Sequence, residues 1–321
     1  MSKKREHLTP VLFLLTLLPL ALLTLTGCGG EAGSPSGKAA RREGPLRIVA
    51  TTSIIADAAR RIAGEHAQVE ALMGPGVDPH LYKASESDVR RLGDADLILY
   101  NGLHLEGKMG DILTKMARNR PVVAVSEDLP QDRLREPPEF AGQYDPHVWF
   151  DVSLWAMTLQ PIVRELSTLD PANAETFRAN AEALGKELTE LDAWVKQRIG
   201  TIPPAQRVLV TAHDAFGYFG RRYGMDVLGI QGISTLSEAG LKDVDRVVKT
   251  VVDRKVKAIF VEASVPRRSI EAVQAAVRSQ GHEVAIGGQL YSDSLGAASS
   301  PAGTYAGMVR ANVDTIVNAL E

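Results

Sequence analysis

An uninterrupted helical pattern across residues 171–199 constrains this chain more than any other feature. Phe177, Leu184, Leu188, Leu191 and Val195 recur at helical spacing. Asp170 and Pro171 suit its start, and Pro203-Pro204 its end. A helix of that length spans ~43 Å, longer than a small domain is wide. It must therefore run along more than one packed unit, as a stiff backbone shared by both.

On each side of it, strand-like apolar runs alternate with amphipathic segments. Residues 46–51, 68–72, 96–100 and 121–125 read as strands before the helix. Residues 207–211, 226–230, 258–262 and 283–286 read as strands after it. Ser53 is placed to cap a helix that stops at Gly64. Ser85 and Asp88 form a capping-box start for another, which stops near Gly93. Pro161 falls inside a helical pattern and should kink or shorten it. Residues 241–252, 270–277 and 305–320 carry further helical spacing. The expected architecture is α/β: two lobes, each a parallel sheet flanked by helices, joined by the long helix, with a cleft between them. The expected divisions are an N-terminal lobe at 46–170, the linking helix at 171–200 and a C-terminal lobe at 206–321.

The first 45 residues stand apart. Lys3, Lys4 and Arg5 precede a Leu-rich stretch without charge that ends in Leu25-Thr26-Gly27-Cys28. A basic start, an apolar core and small residues before a cleavage point describe an export signal at 1–27. Pro10 and Pro19 argue for that rather than for a membrane-spanning anchor. The Leu-Thr-Gly-Cys run resembles a bacterial lipobox, which implies that Cys28 is lipidated and begins the mature protein. Residues 28–45, rich in Gly, Ser, Ala and Arg, read as a flexible tether. The protein is then expected to be extracytoplasmic, in the periplasm or on the cell surface, and held to a membrane by lipid.

Composition narrows the chemistry. The formal net charge of -3 offers no basic excess for nucleic acid. One Cys excludes a disulfide framework and a thiolate metal cluster. Any transition-metal site must use His and carboxylates. Asp-Pro-His occurs twice, as Asp78-Pro79-His80 and Asp145-Pro146-His147, and the echo extends to Leu81-Tyr82 and Val148-Trp149. Pro stiffens the turn that presents each imidazole, and Asp can hold the turn by accepting backbone N–H groups. His213 directly follows the strand expected at 207–211. Asp293 lies in a loop after the strand expected at 283–286. In open parallel sheets, ligands bind beyond the carboxyl ends of the strands, where all four of these residues fall. Imidazoles and a carboxylate converging there suit a divalent transition metal. Taken singly, His213 can equally be a hydrogen-bonded loop residue, and Ser292-Asp293-Ser294 an ordinary turn. His66 and His282 precede strands and should lie at the opposite end of the sheets, on the surface. His104 is nearer the cleft and can stand behind the ligands. Glu262, at a strand end, either faces the cleft in the same supporting role or does not. Glu238 suits the start of the following helix.

These motifs resemble the solute-binding lipoproteins of zinc- and manganese-type ABC transporters. The resemblance runs from Leu46 to the C-terminus. It is carried by VDPHLYKAS around His80, YDPHVWFD around His147, TAHDAFGYFGRRYG around His213 and LYSDSLG around Asp293, with YNGLHLEGKM and GISTLSEAGLKDV in support. It implies that His80, His147, His213 and Asp293 ligate one divalent ion, Zn²⁺ or Mn²⁺, between two lobes. It also implies a monomer that delivers the ion to a membrane permease and its cytoplasmic ATPase, and that is not an enzyme. The His-rich insertion of many zinc-specific members is missing between the first two motifs. His213 stands where some manganese-type members have Glu. The competing readings are a metal-dependent hydrolase on the same residues and an adhesin-type surface lipoprotein. No His-Glu-x-x-His helix supports the first, and no residue pattern encodes the second.

Overall fold

The first sheet has the order β2-β1-β3-β4, and every neighbouring pair is parallel. Its strands are β1 (Leu46–Thr52), β2 (Ala67–Met73), β3 (Leu97–Tyr100) and β4 (Val122–Ala124). β1 and β3 lie inside the sheet and are almost wholly buried, which is why they read as continuous apolar runs. Helices α1 (Ser53–Ala63), α2 (Glu86–Asp94) and α3 (Gly110–Met116) follow β1, β2 and β3 in turn. This is a computed structural model, and it describes residues 44–140 and 142–321. The signal, Cys28 and nearly all of the tether lie outside the described residues.

Two helix starts test the capping expectations. Ser85 and Asp88 form the reciprocal box: Ser85 Oγ accepts from the Asp88 N–H at 3.2 Å, and Asp88 Oδ2 accepts from the Ser85 N–H at 2.8 Å. At α1 the cap is Thr52, not Ser53. Ser53 already belongs to the helix, and its Oγ accepts the Leu295 N–H at 2.9 Å, a contact too remote in sequence to foresee.

Helices α4 (Val152–Trp155) and α5 (Leu159–Leu169) are separated by one 3₁₀ turn. Pro161 sits in the first turn of α5, where a missing N–H costs nothing, so the expected interruption falls just before it. The long helix α6 (Ala174–Gly200) begins after a 3₁₀ turn at Pro171–Asn173. Its buried stripe includes Phe177, Leu184, Leu188, Leu191 and Val195. It packs on α1 and α5 on one side of the sequence, and on α7 (Gly217–Tyr223) and α10 (Tyr305–Leu320) on the other. Residues 44–321 thereby form one compact unit.

The second half holds two parallel ladders, β5 (Val208–His213) with β6 (Asp226–Gln231), and β7 (Ala258–Glu262) with β8 (Ala285–Leu290). β5 and β7 lie side by side. Helix α8 (Leu241–Asp253) links β6 to β7, and α9 (Arg268–Ser279) links β7 to β8. Two strand ends differ from expectation. β5 extends through His213, so this residue ends the strand rather than following it. β8 runs over Ala285–Leu290 instead of 283–286, because Gly287-Gly288 is strand here and not loop. A Cβ at Gly287 would lie 2.7 Å from Ala319 and from Phe260, so only glycine lets α10 approach this strand. Gly288 has φ +140° beside a register irregularity in the ladder.

Candidate metal centre

Each of the four candidates reaches the centre from the carboxyl side of a strand. His80 sits in the turn between β2 and α2, and His147 in the connection between β4 and α4. His213 ends β5, and Asp293 follows β8. The structure brings all four together: one ligand atom from each lies within 4.8 Å of the others. All four are buried, with 3% exposure at most. His80 Nε2 and His147 Nε2 are 3.3 Å apart. Asp293 Oδ1 is 3.5 Å from His147 Nε2, and Oδ2 is 3.5 Å from His213 Nε2.

Acidic side chains set the orientation of two rings from behind. Asp145 Oδ1 accepts the His147 backbone N–H at 3.0 Å and lies 2.8 Å from His147 Nδ1. Nδ1–H then donates to the carboxylate, and the Nε2 lone pair faces the cluster. Asp145 is fully buried and pairs with Arg135. Glu262 plays the matching part for His213. Its Oε1 accepts the His213 N–H at 2.8 Å, and its Oε2 lies 2.6 Å from Nδ1, off the line of a good hydrogen bond. Glu262 thus stands behind His213 and faces the centre only through that ring.

His80 is held differently. Asp78 Oδ1 accepts its backbone N–H at 2.8 Å, while Asp78 Oδ2 accepts the Thr235 hydroxyl at 2.6 Å. Tyr82, two residues on, donates its hydroxyl to Asp88 Oδ2 at 2.7 Å and ties the turn to α2.

These surroundings separate the ionisations. Burial pushes His80 down to about 3, so its ring is neutral at ordinary pH. Burial acts the same way on His147, but Asp145 and Asp293 outweigh it and raise the imidazole above its usual value. Burial is outweighed again at His213, where Glu262 and Asp293 raise it well above. Burial would lift Asp293, yet His213 and His147 hold it well below the carboxylate range. His213 Nε2 and Asp293 Oδ1 are buried with no hydrogen-bond partner. An unpartnered imidazole nitrogen and carboxylate oxygen, buried beside two further imidazoles, are costly unless a cation takes them. The donor set suits a borderline divalent metal ion.

Supporting residues also came from places that the motifs did not single out. Glu106 is buried and accepts from Thr51 Oγ1 at 2.7 Å and from the Asn101 N–H at 2.6 Å. Asn101 Nδ2 donates to the Pro146 carbonyl at 3.0 Å, next to His147. Trp149 Nε1–H donates to the Ser292 carbonyl at 2.9 Å and fixes the loop that carries Asp293. Ser264 donates to Asp293 Oδ2 at 2.8 Å. Asn101 and Glu106 both lie in YNGLHLEGKM, the segment that also carries His104. His104 is exposed, in left-handed backbone at φ 64°, and stands outside the cluster. It is corrected from a supporting residue to a surface one, since its backbone turns the ring outward where Glu106 turns in. His66 and His282 are also outside the cluster, as expected, but half-buried: His66 packs edge-on against Phe177, and His282 Nε2 lies 3.0 Å from the Val256 carbonyl. Glu238 is exposed and pairs with Arg268.

Known proteins share this arrangement of chain and fold. The family model described as "Zinc-uptake complex component A periplasmic" matches residues 48–319. The chain is 47% identical over 308 residues to the manganese-binding lipoprotein MntA of Bacillus subtilis (strain 168), covering 96% of this chain and 99% of that protein. It is 48% identical over 301 residues to the zinc-binding protein TroA of Treponema pallidum (strain Nichols), covering 94% of this chain and 96% of that protein. The solved structure of the periplasmic zinc-binding protein TroA from Treponema pallidum aligns with a TM-score of 0.84 at 48% identity, covering 86% of this chain and 99% of that one.

Proposed function

Because the chain belongs to the zinc-uptake complex component A family, we propose that it captures one Zn²⁺ or Mn²⁺ outside the cytoplasm and delivers it to the permease of an ABC importer, which a cytoplasmic ATPase drives. The family is one of solute-binding receptors and not of enzymes. The observation that carries the reading is the convergence of His80, His147, His213 and Asp293, all buried, within 4.8 Å. These four side chains are the proposed ligands, with residues 46–170 and 206–321 acting as the two lobes that supply them. Four protein donors around one ion leave no obvious position for an activated water, as befits a carrier rather than a hydrolase.

The donor set also favours one ion over the other. Asp293 faces the cluster with both oxygens, and Oδ2 also accepts the Ser264 hydroxyl, so Oδ1 is the freer donor; coordination through both oxygens would make the site five-coordinate and more tolerant of Mn²⁺. Three nitrogens and a single oxygen suit tetrahedral Zn²⁺, and the Irving–Williams order places Zn²⁺ well above Mn²⁺ at such a site. Supply in the cell then decides which ion is carried. The anchor is the lipid on Cys28, and the protein works as a monomer. No helix among the described residues is long and apolar enough to cross a membrane.

Calorimetry with Zn²⁺ and elemental analysis test the reading. One tight equivalent per chain, lost in His147→Ala, is expected. Two or more tight equivalents, none at all, or metal-dependent turnover across a panel of hydrolase substrates would overturn it.

A further inference from the structure

The two halves of the chain also meet at a hydrogen bond that involves no proposed ligand side chain. Residues 232–240 join β6 to α8. Leu236 in this segment is 52% exposed, but its neighbour Thr235 is 8% exposed and turned inward. Thr235 Oγ1–H donates to Asp78 Oδ2 at 2.6 Å, across 157 positions of sequence. Among the described residues, this is the hydrogen bond that segment 232–240 makes to the first half of the chain. The other oxygen of the same carboxylate accepts the His80 N–H at 2.8 Å. Asp78 is therefore gripped at both oxygens, once by the second half of the chain and once by the turn that presents His80.

The second Asp-Pro-His turn is braced by both halves and at more points. Asp145 pairs with Arg135, its carbonyl accepts the Tyr218 hydroxyl at 2.8 Å, and Asn101 holds the Pro146 carbonyl. Around Asp78 the side-chain oxygens receive one hydroxyl and one amide N–H. Loss of the hydroxyl would free the carboxylate to rotate, and the His80 turn would loosen with it.

We propose that Thr235 is a positioning residue for His80: through Asp78 its hydroxyl holds the first imidazole at the centre and sets how long a bound ion stays. The inference rests on the metal-receptor reading above. A hydrogen bond to a charged group is among the stronger ones, and its loss acts mainly on the rate of release. Release of the ion then begins at the His80 side, where the halves are joined by the Thr235 hydroxyl on Asp78 and by Ser294 Oγ accepting the Gly76 N–H, rather than at the more heavily braced His147 side.

The test is stopped-flow release of Zn²⁺ into excess chromogenic chelator from wild type, Thr235→Val and Thr235→Ser, with thermal melting of the three metal-free proteins. Valine keeps the shape and removes the O–H, whereas serine keeps the O–H. Release should be roughly tenfold faster from the valine variant and within about twofold of wild type from the serine variant. The metal-free variants should melt alike. Wild-type release from Thr235→Val, equally fast release from Thr235→Ser, or a melting loss confined to metal-free Thr235→Val would each overturn the assignment and leave the receptor reading standing. Absence of Zn²⁺ binding by wild type would overturn both.

Discussion

Asp78-Pro79-His80 and Asp145-Pro146-His147 are one tripeptide in two settings. In both, the first Asp oxygen accepts the N–H of the His two residues on, at 2.8 and 3.0 Å. The backbone lock is therefore written in the tripeptide itself. Everything else differs. Asp145 also reaches the Nδ1 of its own histidine and pairs with Arg135, while Asp78 turns its second oxygen to Thr235. One ring is backed by a carboxylate and raised in basicity; the other is desolvated and pushed down to about 3. A local repeat can thus fix where an imidazole sits without fixing its proton affinity, which depends on what the surrounding fold brings near.

The largest effects should come from the rings. His147→Ala should weaken Zn²⁺ binding by more than about 100-fold, beyond what loss of an outer partner costs. His80→Ala should also weaken it, by less, because its ring lacks a carboxylate behind it. Competition titration against a chelator reads both. Greater damage from the His80 variant would reverse the proposed ranking.

Proton linkage comes next. Acidic neighbours raise His147 and His213 against the effect of burial, whereas burial lowers His80. An imidazole must be free of its second proton to ligate, so the proton cost of binding falls on the first two rather than on His80. Affinity should then fall as pH falls, and binding should release protons from His147 and His213 but not from His80. Calorimetry in buffers of different ionisation enthalpy counts them. Release of three protons would mean that His80 is as basic as its counterpart, and release of none would contradict the carboxylate-backed pair.

Smaller changes probe the partners. Asp145→Asn should cost roughly 10- to 100-fold in Zn²⁺ affinity, as expected for the partner of a ligating imidazole. Asp78→Asn should cost less than about tenfold, since it retains an acceptor for the His80 N–H. Equal losses in the same titration would erase the distinction between the two turns. The smallest expected effect is on metal choice. His213→Glu should narrow the preference for Zn²⁺ over Mn²⁺ by exchanging a nitrogen donor for oxygen. It is best made with Glu262→Gln, because two carboxylates would otherwise face each other where Glu262 now lies 2.6 Å from His213. An unchanged ratio of the two affinities would remove His213 from the proposed ligands.

The same contrast explains what could be read from the chain alone. Strand rhythm, the long helix and the capping box at Ser85 depend on spacing within a few turns, so they were visible. The repeated tripeptide marked His80 and His147 for the same reason. His213 and Asp293 have no local signature beyond following strands, and family resemblance was needed to select them. Glu262 behind His213, Thr235 on Asp78 and Ser53 on Leu295 join residues 49, 157 and 242 positions apart. No spacing rule records such pairs. The end of β8 is not legible locally, because Gly287 and Gly288 have the composition of a loop, although the approach of α10 is what requires glycine at 287.

X-ray absorption of the Zn²⁺-loaded protein tests the central claim most directly. Three imidazole nitrogens and one carboxylate oxygen should surround the ion at about 2.0 Å. His147→Ala should remove one imidazole from that shell. A spectrum with fewer than three imidazoles in the wild type, or one that His147→Ala leaves unchanged, would contradict the proposed centre.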